Sequence, residues 1–160
     1  ASQGSMNNIA MGHRGQDGAN DSWDYYETLA GGHGAGPYFD GLSARHSHMT
    51  NTLNTPVESL EMHYPIRVNR YAIRDNSGGK GLHQGGDGLV REYEFLAPAQ
   101  LSLLTERRTH APWGLQGGEP GKPGENFLNG KALPGKASLF VDSSDLLSIA
   151  TPGGGGWGKQ

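Results

Sequence analysis

Ile66-Arg67-Val68-Asn69-Arg70-Tyr71-Ala72-Ile73-Arg74, followed by the turn Asn76-Ser77-Gly78-Gly79-Lys80-Gly81, is the stretch whose reading decides the fold. β-Branched and aromatic residues recur through it at alternate positions, as in a strand. Its apolar phase switches from Ile66 and Val68 to Tyr71 and Ile73, which predicts a β-bulge or burial on both faces. Downstream, Gly85-Gly86-Asp87-Gly88 is a second turn, and Leu89–Leu96, Gln100–Glu106, Ala137–Val141 and Leu146–Ala150 read as further short strands. Pro98, Pro112, Pro120, Pro123 and Pro134 mark the connections between them.

Upstream lies one helix signal. Thr55 suits a cap, Pro56 the first helical position, and Glu58 completes a capping box, so a short helix is expected over 55–64, closed by Pro65. Residues 1–54 show little periodicity and are broken by Gly31-Gly32, Gly34, Gly36-Pro37 and Gly41, so irregular, glycine-rich backbone with short extended pieces is expected there. The expected class is mainly β with one short helix: a glycine-rich, loop-rich barrel or sandwich, with its β-rich part over 66–158.

Glycine supplies 27 of 160 residues, more than twice the usual share of about 7%. Disordered glycine tracts are repetitive and poor in aromatics, whereas here 3 Trp, 6 Tyr and 4 Phe are interleaved with irregular glycine clusters. Ordered backbone is expected. Charge is nearly balanced, 13 Lys+Arg against 16 Asp+Glu, which leaves no electrostatic footprint for nucleic acid or an anionic membrane. Cysteine is absent, which excludes disulfides and thiolate chemistry and fits a cytoplasmic protein. No apolar run approaches the ~20 residues of a membrane span. Both ends have the look of cuts in a longer polypeptide.

Three constellations bear on chemistry. Gly153-Gly154-Gly155-Gly156-Trp157-Gly158 lacks the Lys-Ser/Thr of a phosphate loop, so tight packing is its expected role. In Arg45-His46-Ser47-His48-Met49-Thr50-Asn51-Thr52, an extended backbone puts His46 and His48 on one side, and Asp40 lies near in sequence. Two imidazoles and one carboxylate are a thin metal set; the expectation is a polar wall of an active site built from His46, His48, Thr50 and Asn51, with no metal in this segment. Finally, Arg107 and Arg108 end a strand, where they suit a carboxylate or phosphate, or a surface ion pair with Glu106 or Glu61.

Read in order, several segments resemble one family. Tyr25-Tyr26-Glu27-Thr28-Leu29-Ala30-Gly31-Gly32 precedes Gly34-Ala35-Gly36-Pro37, Asp40-Gly41 and His46-Ser47-His48-Met49-Thr50-Asn51-Thr52. Then come Pro65-Ile66-Arg67-Val68, the two glycine turns, Glu106-Arg107-Arg108, Ala111-Pro112-Trp113-Gly114-Leu115, Leu133-Pro134-Gly135-Lys136 and Thr151-Pro152 before the final glycines. Together they resemble the hydantoinase B/5-oxoprolinase family, with 1–160 matching its C-terminal part. The resemblance implies ATP-dependent opening of a cyclic amide such as a hydantoin or 5-oxoproline, or carboxylation of a ketone. It implies partners too: the N-terminal part of the same subunit, with a divalent metal, and an A-type subunit or domain holding ATP and Mg²⁺. A structural or assembly module without substrate contact is the other class, and a carbohydrate-binding β-domain a third. The first two differ in whether His46, His48 and Asn51 face a cleft.

Overall fold

Ile66–Arg74 (β3) pairs antiparallel with Gly88–Phe95 (β4), and the register slips between Val68 and Arg70, so the phase switch is a β-bulge. The slip sets Tyr71 opposite Arg91 and Ile73 opposite Leu89, on the face β4 turns toward the core. Because β3 is an edge strand, both side chains stay half exposed.

The computed structural model describes residues 1–4, 6–15, 22–47 and 50–160. The remaining strands are Asn7–His13 (β1), Trp23–Thr28 (β2), Ala99–Thr105 (β5), Glu125–Leu128 (β6), Lys131–Leu133 (β7), Lys136–Val141 (β8) and Leu146–Ala150 (β9). They form two antiparallel sheets, β2-β1-β5-β8 and β3-β4-β9-β6-β7. The architecture is mainly β with one short helix, and it is an open sandwich rather than a closed barrel. Alternate residues of each sheet face the other. Ile9, Met11, Leu101 and Leu103 come from one side and Leu89, Tyr93, Phe95, Leu147 and Ile149 from the other, all buried in a single core. Each such side chain contributes about 1.5–3 kcal/mol.

The structure corrects the capping expectation and resolves strands that the sequence reading did not delimit. Residues 1–54 hold β1 and β2, paired from Asn8–Thr28 to His13–Trp23. Their apolar pattern is faint because Asn7, Asn8 and Glu27 are also buried, so burial here does not follow polarity. The helix (α1) runs Val57–His63 with Pro56 at its cap and no side-chain cap bond; Thr55 instead donates its backbone N–H to Glu27 Oε1 (3.3 Å). The β6–β7 hairpin was signalled by Asn129-Gly130, both at positive φ (50° and 76°), the dipeptide of a tight hairpin turn.

The terminal glycines form the second structural unit. Gly153 and Gly156 donate to the carbonyls of Lys122 and Glu119, and Gly154 and Trp157 to those of Gly86 and His83. Gly155 and Gly158 turn to Ala1 and Leu115. In the first two pairs, 153 with 156 and 154 with 157, residues three apart return to one neighbouring segment, which is the three-residue period of a polyproline II helix. Such backbones pack this closely only without side chains: a Cβ on Gly154 would fall on the His33 carbonyl oxygen, and one on Gly153 on that of Ser77. Close packing is therefore the role of this run.

Candidate functional site

Where the glycine unit meets the sandwich, the chain runs through Gly31 and His33, turns at Pro37 and Tyr38 and returns to Arg45. Arg45 N–H donates to Gly31 O and His33 N–H to Leu42 O (both 2.9 Å). The two legs frame a cleft of about 600 Å³, lined among others by Ser2, His33, Arg45, His46, Ser47 and Asn51. His46 and Asn51, two of the expected wall residues, share this cleft. Thr50 does not: it is buried and its hydroxyl donates to Ser47 O (2.9 Å). His48 lies outside the described residues.

Of the weak metal candidates, Asp40 and His46 take different partners. Asp40 accepts from Gln84 N–H (2.8 Å) and stands 3.5 Å from His83 Nδ1. His46 Nε2 lies 3.4 Å from Asn54 Oδ1, so the two are committed to different neighbours. Among the described residues no three His, Asp or Glu are grouped to hold a metal ion.

Both arginines have partners within the chain. Arg108 donates Nη1–H to Asn7 Oδ1 (2.6 Å) and to Glu106 O (2.7 Å), and Nη2–H to Asn126 Oδ1 (2.8 Å). Burial, with Arg74 nearby, pushes it down to about 9, so it remains a cation at neutral pH. It ties both sheets together through Asn7 of β1 and Asn126 of β6. Arg107, at φ 56°, lays its guanidinium over the Trp113 ring (4.6 Å). Neither is an ion pair with Glu61, whose carboxylate accepts from Val68 N–H (2.8 Å).

Sequence reading missed the charged group behind the cleft. Glu27 of β2 and Arg91 of β4 are buried, with Oε2 and Nη1 2.8 Å apart but off the hydrogen-bond direction. Tyr93 OH donates to Oε2 (2.9 Å), and Asn54 Nδ2–H to Oε1 (2.9 Å). The rings of Tyr71 and Tyr93 stand 4.6 and 5.2 Å from the guanidinium. Burial, and then the Glu27 charge, hold the Tyr93 phenol well above its ordinary range. For Arg91, burial opposes the charge, yet Tyr93 and Glu27 outweigh it and keep its pKa raised. The available signal was a charge at a core-phase position of a strand, Arg91 between Leu89 and Tyr93. A second cavity, about 690 Å³, lies on the outer face of the four-stranded sheet between Tyr26 and Phe140 and holds none of the expected site residues.

The Hydantoinase B/oxoprolinase family model matches residues 1–160. 5-Oxoprolinase 1 of Arabidopsis thaliana is 49% identical over 99% of this chain, which spans 12% of that protein. The ATP-dependent caprolactamase of Pseudomonas jessenii superposes with a TM-score of 0.76 at 26% identity, covering 97% of this chain and 29% of its own. A nucleotide-free acetone carboxylase shares the fold at a TM-score of 0.70 and 18% identity, over 98% of this chain and 26% of that one.

Proposed function

The chain belongs to the hydantoinase B/oxoprolinase family, and from that premise we propose that it is the C-terminal part of a cytoplasmic, ATP-dependent cyclic-amide hydrolase. It works with the rest of its own subunit and with an A-type component holding ATP and Mg²⁺. An amide carbonyl is a poor electrophile, and phosphoryl transfer to its oxygen creates a leaving group. This chain's share is to help bind and orient the ring through the cleft of His33, His46, Ser47 and Asn51. The observation that carries the reading is the family match across the whole chain, with relatives and a structural neighbour named for lactam hydrolysis.

The test is reconstitution. The complete subunit, assembled with its A-type component, is expected to open 5-oxoproline, a hydantoin or caprolactam only with ATP. The 160-residue chain alone should turn over none of them. Ring opening by the chain alone, or an assembly that consumes ATP only with ketones and bicarbonate, would refute the proposal.

A further inference from the structure

Hydrogen-bond partners decide the tautomer of both imidazoles in the cleft. Asn54 Nδ2 donates to Glu27 Oε1 (2.9 Å) and to the Thr28 carbonyl (3.0 Å). Those two acceptors set the orientation of the carboxamide. Its Oδ1 therefore faces the other way, where Tyr71 OH donates (3.3 Å) and His46 Nε2 stands at 3.4 Å. A carboxamide oxygen has no proton to give, so His46 Nε2 carries one. The same reasoning settles His33, whose Nε2 lies 3.2 Å from the His46 carbonyl oxygen. In its neutral form each ring is then the Nε2–H tautomer, with a lone pair at Nδ1.

At His46 that Nδ1 is buried with no donor, and Ser47 Oγ on the next residue is buried with no partner either. Ser47 is 6% exposed, and both residues line the cleft. Unpartnered buried polar atoms are uncommon in native structures, and two on adjacent residues of a cleft wall call for a ligand group to complete them.

We propose that Glu27 and Asn54 are positioning residues that hold His46 as its Nε2–H tautomer, so that Nδ1 of His46 accepts from the N–H edge of a cyclic amide, with Ser47 Oγ taking the adjoining polar atom. The identity of the ligand rests on the function proposed above, while the relay from Glu27 to His46 does not. Arg91 and Tyr93 complete it by holding the Glu27 carboxylate in place.

Histidine-selective ¹⁵N NMR of the complete subunit tests this, with the two rings identified through His33→Gln and His46→Gln. The expected result is the Nε2–H pattern at both rings, and a shift of the His46 Nδ1 resonance on adding 5-oxoproline. Asn54→Ala should release His46 to a tautomer mixture and raise KM for 5-oxoproline by roughly ten-fold, with a smaller change in kcat. A tautomer mixture at His46 in the unaltered protein would overturn the relay whatever the variant does. An Nδ1 resonance that ignores 5-oxoproline in a protein that hydrolyses it would overturn the ligand contact. The fixed tautomer in a protein that opens no cyclic amide would refute the proposed function and uphold the relay.

Discussion

Glu27 shows how one residue can carry more than its share. Its carboxylate faces Arg91 across the sandwich, accepts from Tyr93 and Asn54, and is itself 5% exposed. Breaking a buried pair from one side leaves the other charge uncompensated, which costs about 3–5 kcal/mol. Glu27→Gln is expected to lower stability by that amount in urea denaturation, and a loss below about 1 kcal/mol would show the pair to be solvated, as surface pairs are. The glycines separate in the same way. Gly154→Ala would place a methyl on the His33 carbonyl oxygen, whereas at Gly130 nothing lies within 4 Å and only its φ of 76° opposes a side chain. Gly130→Ala should therefore cost about 1–2 kcal/mol, and Gly154→Ala should prevent the glycine unit from assembling. Comparable melting temperatures for the two variants would contradict this.

At the scale of elements, the bulge in β3 has a consequence beyond its own pairing. It brings Tyr71 over Arg91 and within reach of Asn54, so an edge strand closes the polar group that β2 and β4 share. The phenols of Tyr93 and Tyr25, both nearby, are raised mainly by burial. A tyrosine with a raised folded pKa contributes stability that is complete below its unfolded value of about 10 and disappears as pH rises through the folded one. The folded state should therefore hold its denaturation midpoint through neutral pH and lose stability steeply above pH about 10. Tyr93→Phe should flatten that alkaline slope while lowering stability at neutral pH, where Glu27 loses a donor. An unchanged slope would mean that Tyr93 is not the titrating group.

For the whole molecule, the question is whether the cleft serves chemistry or architecture. If it orients a ring, His46→Ala and Asn51→Ala in the assembled enzyme should slow turnover by ~10²-fold or more while melting little changed. Variants that melt early yet keep their specific activity at low temperature would assign the cleft to architecture. The sequence by itself determined the mainly β class, the bulge in Ile66–Arg74 and the packing role of the final glycines, because period and glycine clustering are local properties that need no partner to be read. It also carried the resemblance that the family match establishes. Only the tertiary structure decided that Arg108 binds Asn7 and Asn126, that Asp40 belongs with Gln84 and His83, and that Glu27 and Arg91 meet in the core. Residues 7 and 108, or 27 and 91, come together through sheet order and bulge position. A side chain's chemistry is set by the neighbours that long-range pairing delivers, and no local pattern encodes them.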